Sequence, residues 1–232
     1  MFKKIFSVIL LLTMISLPQV VFAEKTDWFD RNFYFRNIRT VIVFDVTPDR
    51  SFGHVDSILL RNLQDTFIQN AQKNLRCTVL TEMEAIRQLS RRGINVESLA
   101  YSNPMQARHV IMQNAYQIAD AWVIANVDAW NDNSYVVPER TVWEQRRETR
   151  TYYDRHGKRH EETYYRQVPV TYPPRRVDVS TIQMTMQVYE ARRGEMIFAR
   201  KDVRDREDFQ AQKGMFGRIC NSFFEDFNKK IR

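Results

Sequence analysis

Thr40-Val-Ile-Val-Phe-Asp-Val46 (TVIVFDV) is the stretch on which the fold turns. Its near-continuous run of β-branched and aromatic residues is the pattern of a strand covered on both faces, as in a sheet with helices on either side. Thr47-Pro48-Asp49 follows with turn chemistry. Next, apolar residues recur at Val55, Leu59, Leu63, Phe67 and Ala71, a spacing of four that makes one stripe along a helix ending near Asn74. Arg76 to Leu80 reads as a second strand. Thr81, with Glu84 three positions on, is a capping box that opens a second helix, whose buried side is Met83, Ile86 and Leu89 and whose end is Gly93. Asn103-Pro104 starts a third helix running to about Ala119. Ala121 to Val127 (AWVIANV) is then another buried strand.

Farther on, Ser180 to Ala191 alternates with period two, Arg193-Gly194 turns, and Met196 to Val203 returns as a partner strand. A closing helix presents Phe216, Ile219, Cys220, Phe223 and Phe227 on one face. Lys229, Lys230 and Arg232 lie at its carboxyl end, where cations suit the helix dipole. Upstream of the first strand, Glu24 to Arg39 is rich in aromatics (Trp28, Phe29, Phe33, Tyr34, Phe35) that need something to pack on. The expected class is α/β (α+β), a mixed sheet covered by helices in the order β-α-β-α-α-β, long hairpin insert, β-β-α.

The first 23 residues set the compartment. Lys3 and Lys4 precede an apolar run, Ile5 to Ile15, too short to span a bilayer, then Pro18 and Val21-Phe22-Ala23. This is the pattern of a secretory signal cleaved near Ala23, which predicts a periplasmic or secreted protein of about 209 residues with no membrane span. No cysteine closes the leader, so a lipid anchor is not expected. That length suits one domain, residues 24–232, with residues 131–177 inserted into it.

The formal charge of +7 falls to +5 once the two leader lysines are removed, and the segment Glu139 to Arg176, with ten Lys/Arg and six Asp/Glu, holds +4 of it. A surplus this local points to an anionic partner. Cys77 and Cys220 are the only cysteines. In an exported chain they can form a disulfide, and their apolar surroundings equally suit two buried thiols.

About 45 residues stand where a hairpin loop ordinarily needs two to five. The segment reads as a hairpin: Thr141 to Tyr153 outward, a turn at Asp154-Arg155-His156-Gly157-Lys158, and Arg159 to Thr171 back. Tyr152-Tyr153 and Tyr164-Tyr165 face one another in this reading. They are interleaved with Arg146, Arg147, Arg150, Arg155, Lys158, Arg159 and Arg166. One tyrosine of each pair points to either face, so each face carries an aromatic row bordered by guanidinium groups. Charge on both faces argues against a membrane barrel strand. Such rows suit stacking on rings and binding of carboxylate or phosphate, and they also suit a solvated ribbon held by cross-strand charge pairs. The exit, Val168 to Pro174, reads as stiff and extended.

No catalytic constellation is assembled. Glu161 and Glu162 are adjacent on a strand and point to opposite faces, so they cannot flank one glycosidic bond. His156 and His160 beside them have metal-like composition but sit at a hairpin tip, and no metal or other cofactor is expected. There is no Gly-rich phosphate loop and no nucleophile elbow. Asp45 and Asp120 are the remaining candidate carboxylates, Asp120 more naturally as a cap at the start of a strand.

Three stretches resemble the periplasmic α/β domain shared by the curli secretion lipoprotein CsgG, the amino-terminal domain of TolB and the penicillin-binding-protein activator LpoB. They are CTVLTEMEAIRQLSRRGI from Cys77, Tyr116-Gln-Ile-Ala119-Asp120-Ala121-Trp122-Val123-Ile124, and QVYEARRGEMIFARKDV with its Gly194-Glu195 turn. Ala125-Asn126 stands where that domain usually has a glycine, and the membrane hairpins of its channel members have no counterpart. The resemblance implies a non-catalytic adaptor or assembly factor in the cell envelope that acts through protein binding. The alternative from charge is a direct binder of an anionic polymer such as surface polysaccharide, lipopolysaccharide or extracellular DNA. A free hairpin or sheet edge would also allow homo-oligomers.

Overall fold

A computed structural model describes residues 24–48 and 56–232. The leader reading, Asp49 and the Val55 end of the first helical stripe lie outside the described residues. The chain divides into two compact units. One is the described part up to Asp132 together with Val179–Arg232, and the other is Asn133–Asp178.

The larger unit is built on a mixed sheet. Its strands are β1 (Glu24–Phe29), β2 (Thr40–Val43), β3 (Thr47–Pro48), β4 (Thr78–Thr81), β5 (Ala121–Val137), β8 (Arg175–Glu190) and β9 (Met196–Arg206), in the order β1-β9-β8-β5-β2-β4, with β3 beside β5. β2 runs parallel to β4 and β5, and β9 runs antiparallel to β8 and β1. The helices are α1 (Ser57–Asn74), α2 (Glu82–Arg91), α3 (Glu97–Ser102), α4 (Pro104–Asn114) and α5 (Gln212–Ile231). The α+β class with a mixed sheet is therefore the architecture of this protein.

β2 explains why TVIVF is apolar throughout. Val41 and Val43 belong to the cluster formed with α1 and α5, which includes Phe67, Phe216 and Phe223. Ile42 and Phe44 belong to the cluster with Leu80, Ile86, Leu89 and Ile111 on the other side. A strand with helices on both faces has no side on which a polar residue is wanted. β8 alternates instead: Ile182, Met184, Met186 and Val188 are fully buried and the residues between them are partly exposed.

Local signals operate as their chemistry dictates. The Thr81 hydroxyl accepts from the Glu84 backbone N–H, and the Glu84 carboxylate accepts from that of Thr81. Asn103 caps α4 through the Gln106 N–H, with Pro104 at its first position. Gly93 closes α2 at φ +85°, a left-handed conformation that suits glycine.

Met83, expected on the buried side of α2, is exposed, Ala85 taking that place beside Ile86 and Leu89, and three elements depart from the sequence expectation. Thr47-Pro48, read as turn, is a two-residue strand beside Asn126 and Val127; Pro48 is tolerated because so short a strand needs little from its missing N–H. Residues 97–102 form an extra helical turn. The aromatic lead-in begins with an edge strand, β1, all six of whose residues are exposed. β1 is fixed by its ladder to β9 and by buried Arg200. The Arg200 Nε and Nη2 donate to the two Asp27 oxygens at 2.6 and 2.8 Å, and Nη2 also donates to Asp226 on α5 at 2.8 Å. Its guanidinium lies 5.8 Å from the ring centres of Phe198 and Phe223.

Cys77 and Cys220 are free thiols. Cys220 is sealed in the α5 face of the core and Cys77, just ahead of β4, is half-buried. Burial pushes the Cys77 thiol up to about 11 and that of Cys220 higher still, which leaves both mainly protonated at neutral pH.

Candidate functional site: an arginine and tyrosine ribbon

The smaller unit is dominated by a two-stranded antiparallel ribbon, β6 (Arg140–Tyr153) and β7 (Arg159–Tyr172), joined by the five residues Asp154 to Lys158. At the tip one Asp154 oxygen accepts from the His156 and Lys158 backbone N–H groups, and the other is 2.9 Å from His160 Nε2. The His160 hydrogen bond, then the backbone donors, hold the Asp154 carboxyl below its ordinary value. Gly157 supplies the positive φ, +77°, that this turn needs. His160 also stacks on Tyr152, ring centres 5.3 Å apart. Among the described residues no three His, Cys, Asp or Glu side chains gather as a metal site.

The register corrects one part of the sequence reading. The tyrosine pairs do not oppose each other: Tyr152 faces His160, Tyr153 faces Arg159, Tyr164 faces Glu148 and Tyr165 faces Arg147. The turn fixes this, because with Asp154 to Lys158 as loop the first pair must be Tyr153 with Arg159, and every later pair follows. The exit segment is also part of β7, with Pro169 paired to Trp143; the ribbon has only one ladder, so the proline nitrogen can face away from it.

Because directly paired residues share a face, the ribbon has two dissimilar sides. The first carries Arg140, Glu144, Arg146, Glu148, Arg150, Tyr152, His160, Glu162, Tyr164, Arg166 and Tyr172. Its groups are largely bonded to one another. The Tyr164 hydroxyl donates to Glu148 at 2.7 Å, the Tyr172 hydroxyl donates to Glu144, and Arg150 pairs with Glu162 at 3.1 Å. Accepting carboxylates beside them raise both phenols above their ordinary value. Arg140 and Arg150 lie over the rings of Tyr172 and Tyr152.

Arg146 and Arg166 stand directly opposite each other on this side, and neither forms an ion pair among the described residues. The neighbouring glutamates are already committed to tyrosine hydroxyls. Like charges facing across a ladder cost on the order of half a kcal/mol at this exposure. A carboxylate or phosphate from outside would relieve them, and guanidinium forks are shaped to take either.

The second side carries Thr141, Trp143, Gln145, Arg147, Thr149, Thr151, Tyr153, Arg159, Glu161, Thr163, Tyr165, Gln167, Pro169 and Thr171. Trp143, Tyr153 and Tyr165 are 65%, 68% and 64% exposed, against 46%, 39% and 41% for Tyr152, Tyr164 and Tyr172. Arg159 is paired to Glu161 at 2.5 Å. Trp143 was absent from the sequence-based site, although the same register count places it with Tyr153 and Tyr165. Arg155 and Lys158 belong to the tip and to neither side.

Of the two candidate carboxylates in the core unit, Asp120 has a structural role. Asp120 accepts the backbone N–H groups of Arg39 and Thr40 at 2.8 and 2.9 Å, fixing the start of β2. It borders a concavity of about 390 Å³ with Phe33, Tyr34, Ile38, Tyr116 and Arg192. Burial, then Glu82, raises the Asp45 carboxyl. The adjacent Arg108 is taken up by Glu82 at 2.7 Å, the Thr47 hydroxyl and the Asp45 carbonyl, which makes this group a latch between β2, α2 and α4.

No known protein family and no curated protein matches the chain, so the likeness to the CsgG, TolB and LpoB domain remains an expectation. Among solved structures the chain is similar to the PelC dodecamer from Paraburkholderia phytofirmans, at 7% identity and TM-score 0.46, covering 89% of this chain and 98% of that one. It is also similar to lipoprotein GNA1162 from Neisseria meningitidis, at 11% identity and TM-score 0.40, covering 82% and 98%. No described helix is long and apolar enough to cross a membrane.

Proposed function

We propose that this chain is a non-catalytic exported protein of the cell envelope, an adaptor or assembly factor that works by binding another protein through its ribbon. The observation that carries this reading is where the exposed rings sit. Of the eighteen large hydrophobic side chains exposed among the described residues, nine fall in Asn133–Asp178, seven of them rings from Tyr135 to Tyr172 interleaved with the arginines. Aromatic and arginine side chains are the types enriched where proteins meet. The leader pattern and the three family-like stretches support an envelope setting.

The Arg146 and Arg166 pair favours a partner that presents carboxylates, and it keeps the anionic-polymer reading alive as the second. Replacing Thr141 to Thr171 by a short glycine linker and using the product beside the intact chain as bait in envelope extract separates the two. A protein captured by the intact chain and lost on deletion supports the adaptor. Capture of polysaccharide or nucleic acid, released steeply by salt, replaces it with the polymer binder. A protein captured equally well without the ribbon removes the ribbon as contact surface.

A further inference from the structure

We infer that the Trp143 side of the ribbon packs face to face against the same side of a second copy of this chain. The inference goes beyond the adaptor reading, which draws on the exposed rings of both sides and on the Arg146 and Arg166 pair of the opposite one. A two-stranded ribbon alone is marginal in water and gains stability when a second layer packs on one face. Of its two sides, only this one is chemically suited to meet itself.

Four of its seven residue pairs are uncharged: Thr141 with Thr171, Trp143 with Pro169, Gln145 with Gln167 and Thr149 with Thr163. Arg159 is neutralised by Glu161 on the same side, which leaves Arg147 as the cation without an ion pair among the described residues. A two-fold axis running along the ribbon, midway between its strands, places each Arg147 guanidinium on the other copy's Tyr165 ring, a cation–π contact in place of a charge clash. The other side, with Arg146 opposite Arg166, would bring four guanidinium groups together on self-packing.

The size fits as well. Fourteen residue pairs make a ribbon about 46 Å long, and the three rings, each about two-thirds exposed, alone offer roughly 400 Å² for burial. Threonine and glutamine along the remaining length bring the patch toward the ~800 Å² per partner of a standard interface.

The test uses the full chain, expressed with its own first residues and purified as the host processes it, in sedimentation equilibrium. The expected mass is that of two copies. Trp143→Arg combined with Tyr165→Glu is expected to weaken self-association about 100-fold with unchanged far-UV circular dichroism, whereas Arg146→Glu on the other side leaves the dimer intact. In a Cys77→Ser background, Thr163→Cys should be joined to a second copy by a short bismaleimide, and its neighbour Glu162→Cys, on the opposite side, should not. A wild-type chain that is monomeric at about 100 μM, a dimer that survives the double substitution, or one lost equally with Arg146→Glu overturns the inference. Partner capture, tested by deletion above, can succeed or fail independently of all three.

Discussion

The two units of this molecule use aromatic side chains in opposite ways. In the larger unit Phe67, Phe198, Phe216, Phe223, Phe224 and Phe227 are fully buried, and their stacked and edge-on contacts hold α1, α5 and the sheet together. In the smaller unit no ring is buried, and Trp143, Tyr153 and Tyr165 face outward. The core is assembled by removing apolar surface from water, whereas the ribbon is held by its backbone ladder and by cross-strand bonds such as Tyr164 to Glu148. A ring that does nothing for its own unit's packing is available for something else.

The largest expected effect tests that contrast at its core. Phe223→Ala should cost about 3 to 5 kcal/mol in urea unfolding, since it removes a buried ring and leaves a cavity. Arg200→Met comes next at about 2 to 3 kcal/mol, because it leaves Asp27 and Asp226 without their shared cation, moderated by the partial exposure of both carboxylates. A loss under about 0.5 kcal/mol would mean that β1 is held by its ladder alone.

Asp226 sharpens the same point through pH. Partial burial works to raise its carboxyl, but hydrogen bonds from Lys229, Lys25 and Arg200 outweigh that and hold it well below the usual range. Its contribution to stability is therefore complete above the unfolded-state value near 4 and is lost as pH falls below that. The stability gap between the natural chain and Asp226→Asn should be flat from about pH 5 to 7 and narrow between about pH 4 and 2. A gap unchanged down to pH 2 would contradict the network. The smallest effect belongs to the ribbon: Tyr165→Ala should change monomer stability by less than about 0.5 kcal/mol. A loss as large as that of Phe223→Ala would reveal packing around Tyr165 and break the comparison.

How much of this was legible follows the same division. TVIVF, the period-two run over Ser180 to Ala191 and the capping box at Thr81 each state their structure locally, and each forms what its pattern predicts. β1 was not legible, because its six residues carry no buried face and are held by the backbone ladder to β9 and the Asp27 to Arg200 ion pair, both far along the chain. The extra strand at Thr47-Pro48 was hidden by turn-type residues whose conformation is set by the neighbouring β5. In the ribbon the strands and turn were readable. The facing of Tyr164 to Glu148 and the exposure of Trp143 required the register to be carried through residue by residue.

The sequence by itself determined the sheet's apolar strands, its longer helices and several of their caps, and the presence of a long arginine and tyrosine hairpin, because periodicity, caps and turns act over a few residues. The tertiary structure alone decided what Arg200, Asp120 and Arg108 do and which ring lies on which side of the ribbon. Those outcomes depend on groups distant in the chain, such as Asp27 with Arg200 or Arg39 with Asp120, and on a strand register in which a shift of one residue would exchange the two faces.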